Sequence, residues 1–192
     1  MKKAFVFLAA ILLIIAIIAY VDNHHIGVAC ADAVLIVALL ICGEGGKKEM
    51  GYKFYGWENA NVSAITDTYH DIKTPLDLYD VLSDIWCKET CAPRLQAEWT
   101  PENRTLGQCS ITAFLVQDIF GGEVYGILRP GGNYHCYNVV GDHVFDLTSE
   151  QFGDEVLVYE NNPEQSREVH FAKEEKRLRY EYLKKKLEER RA

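Results

Sequence analysis

Cys109, His135 and Asp146 are residues of the types that carry nucleophilic acyl chemistry, and their surroundings suit that use. Cys109 follows Gly107-Gln108 and opens a run to Phe120 that is apolar nearly all round and stops at Gly121-Gly122. That pattern predicts a buried helix beginning at the cysteine. The free amides and positive dipole end of a helix N-terminus stabilise a thiolate, and the same amides can hold a developing oxyanion. Taken alone, such a cysteine reads more simply as a small buried packing residue.

His135 and Asp146 change that balance. Only Gly141-Asp142 separate Val140 from His143, which predicts a hairpin with a two-residue turn. The register then pairs 140 with 143, 137 with 146 and 135 with 148. His135 and Asp146 fall on one sheet face as diagonal neighbours, roughly 7–8 Å apart at the backbone. A carboxylate there can accept an imidazole N–H, fix its tautomer and steady the imidazolium.

Gln108, beside the cysteine, is the candidate oxyanion donor, because Asn138 points to the sheet face opposite His135. A metal site is the rival reading of the same region. Cys87 and Cys91 lie one helical turn apart, and Cys109 with Cys136 or His135 could complete a tetrahedron. Against it, Cys-x3-Cys is not the tight knuckle of zinc ribbons, and Cys136 alternates away from His135. The acid–base reading requires no cofactor.

Three separated blocks carry a resemblance. They are Gly107-Gln108-Cys109-Ser110-Ile111-Thr112-Ala113, Asn133-Tyr134-His135-Cys136-Tyr137-Asn138 and Asp146-Leu147-Thr148-Ser149-Glu150-Gln151-Phe152. The stretch from about Trp86 to Gly153 resembles the uncharacterised bacterial YunG family and, more distantly, the transglutaminase-like and papain-like group. The wider resemblance implies a nucleophilic cysteine at a helix start, a histidine on a strand and an aspartate on the next. It implies a thiol-dependent hydrolase or acyl transferase acting on an amide or ester. A non-catalytic binding module of the same fold is the alternative, and a Cys/His zinc domain the second.

Other elements must hold these residues. Thr74-Pro75 opens a helix expected to run to about Thr90, with Leu76, Tyr79, Leu82 and Trp86 on one side. Strands are expected at Glu123–Leu128, Tyr134–Val140 and His143–Leu147. From Phe171 onward a charged helix carries Leu178, Tyr182, Leu183 and Leu187 along one side, and a solvated surface helix is the expected form.

The net charge is −8 over 192 residues, unevenly spread. Gly51 to Val169 holds seven basic and nineteen acidic residues, a balance of −12, whereas His170 to Ala192 carries +4. So acidic a domain repels phosphate backbones, and nucleic acid is not an expected partner.

The first fifty residues read as a membrane anchor. Ala4 to Val21 is free of charge and long enough, at ~27 Å, to cross the hydrocarbon of a bilayer. Ile26 to Cys42 forms a second apolar run. The pairs Lys2/Lys3 and Lys47/Lys48 both lie on the cytoplasmic side only if the chain crosses twice. The expectation is therefore a two-helix transmembrane hairpin (about 4–21 and 26–42) within an anchor of residues 1–50. After it come an α+β domain at 51–169 and a charged helix at 170–192. The domain is expected to be of transglutaminase- or papain-like type, a buried helix against a small antiparallel sheet. It would sit at the cell membrane facing the cytoplasm, in contact with the lipid bilayer and an amide- or ester-bearing substrate. Export behind a signal peptide is the alternative.

Overall fold

Two helices and a three-stranded meander supply the frame of the site. In the computed structural model, residues 51–190 are described. Helix α1, Pro75–Ile85, starts at a capping box: Thr74 Oγ1 accepts from the Asp77 amide, while the Asp77 carboxylate accepts from the Thr74 amide at 2.8 Å. Such caps contribute roughly 0.5–2 kcal/mol each. Leu78, Leu82 and Ile85 are its buried face. The helix stops at Trp86, short of the expected Thr90, because Thr90 offers the chain another set of bonds. Its hydroxyl accepts the Cys87 amide at 3.0 Å and donates to the Cys87 carbonyl at 2.8 Å, the local competition that short hydroxyl side chains set up against a helix.

Helix α2, Cys109–Phe120, begins at the cysteine as its pattern predicts, and its side chains from Ser110 to Val116 are all buried. Phe114, Leu115 and Ile119 are completely enclosed, and each such side chain contributes about 1.5–3 kcal/mol of burial. Trp86 Nε1 donates to Thr112 Oγ1 at 3.2 Å, fixing the end of α1 to this helix.

The strands β1 (Glu123–Leu128), β2 (Tyr134–Val140) and β3 (His143–Phe145) form an antiparallel sheet in the order β1-β2-β3. The β2–β3 register pairs Val140 with His143, Val139 with Val144 and Asn138 with Phe145, the register the two-residue turn dictates. β3 ends two residues earlier than expected. Asp146 leaves β2 and instead donates its amide to the Tyr55 carbonyl at 3.0 Å, in a bridge to the segment before α1. Helix α2 lies across β2, and Asn138 Nδ2 donates to the Ala113 carbonyl at 2.9 Å between them.

Helix α3, Arg167–Phe171, leads into α4, Glu174–Glu189. Two expectations about α4 are corrected. Its buried face is Arg179, Tyr180, Leu183 and Leu187, while Leu178 and Tyr182 are exposed. It is also packed on α2 and α1 rather than solvated all round. The cause is Arg179, which donates to the carbonyls of Thr90 at 2.9 Å and Gly107 at 2.8 Å. Those bonds place Arg179 in the buried face beside Tyr180, Leu183 and Leu187.

The membrane expectation is also corrected. Among the described residues no helix is long and apolar enough to cross a membrane. The most apolar helix, α2, has 12 residues, or ~18 Å at 1.5 Å per residue against a hydrocarbon layer of ~30 Å. The longest, α4, has 16 residues and is charged along most of its length. The expected transmembrane hairpin at 4–21 and 26–42 lies outside the described residues. The fold is accordingly an α+β domain with a small three-stranded antiparallel sheet, and neither the hairpin nor placement at the cell membrane is carried forward.

Candidate active site

The loop before Cys109 is held from three sides. Gly107 has φ +68°, and a Cβ there would stand 2.7 Å from Cys91 Sγ and 2.9 Å from the Ala92 nitrogen. Only glycine fits that close approach. Its amide donates to Gln151 Oε1 at 3.2 Å, and its carbonyl accepts from Ala92 at 3.0 Å and from Arg179. Helix α2 therefore starts from a fixed point. Gln108 at its N-cap makes no side-chain cap bond, so the first amides of the helix keep the unsatisfied donors that every helix start presents.

Gln108 itself lies elsewhere than expected. Its side chain is fully buried, Nε2 donates to the Cys87 carbonyl at 3.1 Å, and Oε1 has no partner. The amide that was to meet an oxyanion instead holds the turn after α1. The donors left over at this end of α2 are backbone amides of its first turn.

On β2 the geometry follows the register. His135 Nε2 lies 2.5 Å from Asp146 Oδ2, with both side chains buried. Asp146 is fully engaged: Oδ1 accepts from the Thr148 amide and hydroxyl, each at 3.0 Å, and Oδ2 also accepts from Tyr159 O–H at 3.0 Å. Tyr159 is set by stacking on Tyr55, with ring centroids 3.8 Å apart. Phe152 meets the imidazole edge-on at 4.6 Å. The second ring nitrogen, Nδ1, is buried and has no hydrogen-bond partner. It is the nitrogen left to face Cys109.

The Cys109 thiol is held well below the ordinary thiol range, first by the Cys136 thiol as hydrogen-bond donor, then by His135, with burial acting the other way. Cys136 is pushed up by its bond to Cys109 and by burial. Of the two, Cys109 carries the negative charge: it sits at a helix N-terminus, beside the imidazole and partly open to solvent, whereas Cys136 is fully enclosed. Burial works to lower the pKa of His135, but the Asp146 carboxylate and the Cys109 sulfur outweigh it and raise it to about 10. Both shifts favour the thiolate–imidazolium form of the pair.

The pair leaves a mark on stability. Folded, it binds one proton. Unfolded, it binds two below about pH 6.5, one up to about pH 8.5 and none above. The raised His135 stabilises fully below 6.5 and loses that contribution as pH rises towards about 10. The lowered Cys109 does the reverse, stabilising above about 8.5 and losing it as pH falls. The two cancel between, so the pair's contribution should be flat from about pH 6.5 to 8.5. It should fall by about 1.4 kcal/mol per pH unit on either side. Denaturant unfolding of the parent against a Cys109→Ser/His135→Ala double variant measures that difference. A difference that does not vary with pH would rule the ion pair out.

Beyond the Cys109–Cys136 contact, the cysteines do not assemble into a metal site among the described residues. All four of Cys87, Cys91, Cys109 and Cys136 are free thiols. Cys91 lies under Gly107, with its thiol pushed up to about 11 by burial, and Cys87 is tied to Thr90. Among the described residues no group of three or more His, Cys, Asp or Glu side chains is placed to hold a metal ion.

Cys109 and His135 open on a cavity of about 520 Å³ whose other side is built from Arg129, Lys173, Lys176 and Arg179. Sequence reasoning passed over these cations, and over Thr148 and Tyr159 behind the aspartate. Thr148 stood within the third quoted block, and its place two residues after a candidate acid was the available signal. Nothing in the local sequence placed Tyr159, Lys173 or Lys176 near Cys109.

The domain is thus an α+β protein with a thiol at the start of a buried helix, and a histidine on β2 bonded to an aspartate just beyond β3. The chain belongs to the YunG family: the family model described as "YunG protein" matches residues 74–192. It is similar to "Uncharacterized protein YunG" of Bacillus subtilis (strain 168), with 38% identity over 65 residues, which are 34% of this chain and 56% of that protein. The match thus spans little more than half the length of that relative. No solved structure matches the chain, and the wider resemblance to transglutaminase- and papain-like proteins finds no support.

Proposed function

We propose that Cys109, His135 and Asp146 act as the nucleophile, acid–base and orienting groups of a thiol-dependent hydrolase or acyl transferase working on an amide or ester. One observation carries this reading. The imidazole is locked by Asp146 at Nε2 while its buried Nδ1 has no bond and is left for Cys109. A packing histidine would have both nitrogens satisfied or in water.

In this mechanism the Cys109 sulfur attacks the carbonyl carbon and a C–S bond forms. The carbonyl oxygen becomes an oxyanion beside the free amides of α2. His135 Nδ1–H gives its proton to the leaving nitrogen or oxygen as the old bond breaks, leaving an acyl-cysteine. Water or an amine then attacks with His135 as base, and the thiolate leaves. Asp146 holds the ring in the tautomer and orientation both steps need.

The test is chemical. Treated with an aryl acetate, the full chain should gain one acetyl group, as a hydroxylamine-sensitive thioester on Cys109. The released aryloxide should appear as a burst, and Cys109→Ala should show neither. Acetylation confined to lysines, or spread over the four thiols, would leave the catalytic reading without support and favour the binding module.

A further inference from the structure

The surroundings of the thiol are opposite in charge to the domain that carries it. Residues 51–169 have a balance of −12, yet the cavity at Cys109 is lined by Arg94, Arg129, Lys173, Lys176 and Arg179 against a single acid, Glu175. Some of these cations are neutralised. Arg129 is bidentate to Glu155, both oxygens at 2.8 Å. Arg179 binds Glu175 at 3.1 Å and two backbone carbonyls. Lys173 and Lys176 make no ion pair among the described residues, and Lys176 is half-buried.

Lys176 is held there by a directed relay. Gly126 leaves the room on β1 into which Gln165 packs, since a Cβ there would come within 2.6 Å of its side chain. Gln165 Nε2 donates to the Pro163 carbonyl at 3.1 Å, which turns Oε1 towards His170 Nε2, also 3.1 Å away. His170 must therefore carry its proton on Nε2 and present a lone pair at Nδ1. Lys176 Nζ lies 3.0 Å from that atom and is the donor. His170 cannot compete for the charge, because burial and the neighbouring Lys176 lower its pKa to about 4. One N–H of the ammonium is bound and the others are free. Burial and the neighbouring Lys173 lower the pKa of Lys176, while the sulfurs of Cys136 and Cys109 work to raise it.

We infer that Lys176, oriented by the Gln165–His170 relay and supported by Lys173, forms an anion-recognition subsite in the Cys109 cavity. The acyl donor is accordingly an amide or ester that carries an anionic group close to its scissile carbonyl. A half-buried ammonium with no carboxylate ion pair, offset only by the nearby thiol sulfurs, gains from the counter-charge of a bound anion. Bringing an anion beside a thiolate is equally unfavourable without such a cation. The inference rests on the thiolate reading of Cys109 above.

Iodoacetate and iodoacetamide separate the two ideas, since both alkylate a thiolate by displacing iodide and differ in charge. The quantity read is the ratio of their rates at Cys109 in the full chain, measured at a pH where Cys109 is fully ionised. In that ratio any change in thiolate fraction cancels. The ratio should exceed that of glutathione, fall about fivefold in Lys176→Gln, be retained in Lys176→Arg, and decline as salt is raised. Lys173→Gln, at an exposed site, should lower it in the same direction by less. A ratio that is the same in Lys176→Gln, Lys173→Gln and the parent overturns the subsite even if Cys109 reacts fast with iodoacetamide. Slow reaction of Cys109 with iodoacetamide itself would overturn instead the thiolate reading on which the subsite depends.

Discussion

In His135→Ala, breakdown of the acetyl adduct at Cys109 should slow by about 10²–10⁴-fold, the usual contribution of a positioned acid–base group. The pH midpoint of Cys109 alkylation should rise, because the imidazolium no longer favours the thiolate. Both follow from the one ring nitrogen that has no bond. In the parent, His135 stays protonated to about pH 10, and its charge holds the sulfur ionised at pH values where an ordinary cysteine, with a pKa of about 8.5, is a thiol. The alkylation rate at pH 6 is a blunter readout, because a thiolate of higher pKa is intrinsically more nucleophilic and offsets part of the lost ionisation. The drop there should be only about tenfold. Cys136 remains as a hydrogen-bond donor to the sulfur in this variant, so the midpoint should stay below that of Cys91, which burial alone pushes up to about 11. Rapid-mixing mass spectrometry on the folded variant gives both numbers. An unchanged midpoint together with unchanged deacylation would mean that His135 and Cys109 are neighbours without being partners.

The parts of this site that follow from short-range rules were readable in advance. The two-residue turn at Gly141-Asp142 set the β2–β3 register from Val140–His143 to Asn138–Phe145, whereas Asp146, beyond the end of β3, is held by its bridge to Tyr55. The apolar run after Gly107 fixed the helix start. What could not be read depends on contacts between distant segments. Arg179 is an ordinary helical cation until its guanidinium meets the carbonyls of Thr90 and Gly107, 89 and 72 residues away in the chain. With that contact in place, Lys176 lines the same cavity as Arg179. Gln108 is engaged elsewhere for a similar reason: the turn at Cys87 presents a carbonyl that only the folded chain brings beside it. The positive balance of residues 170–192 was visible as a number, but its destination beside Cys109 was not. The apolar runs at 4–21 and 26–42 spoke for spans through their composition alone, and the described helices offer none.

Asp146 allows stability and reactivity to be separated in a pair of variants. Its carboxylate accepts from His135, from the amide and hydroxyl of Thr148 and from Tyr159, all in a buried setting. Asp146→Ala removes four acceptor contacts at once and leaves a buried cation without its counter-charge. It should destabilise the domain by about 3–5 kcal/mol. Asp146→Asn keeps an oxygen for both Thr148 donors, and Tyr159 can rotate its hydroxyl to accept from the new N–H. Its loss of stability should be about 1–2 kcal/mol, read as a shift in the denaturant midpoint. The imidazole has no such freedom. Facing an amide N–H, Nε2 must become the acceptor, and the ring proton moves to Nδ1 on the neutral ring. That nitrogen can then no longer take a proton from Cys109 or from attacking water. Asp146→Asn should therefore be nearly as well folded as the parent and yet lose at least about 10²-fold in both acylation and deacylation. Turnover retained in a folded Asp146→Asn protein would show that the aspartate serves the packing of the β3 end and takes no part in the chemistry at Cys109.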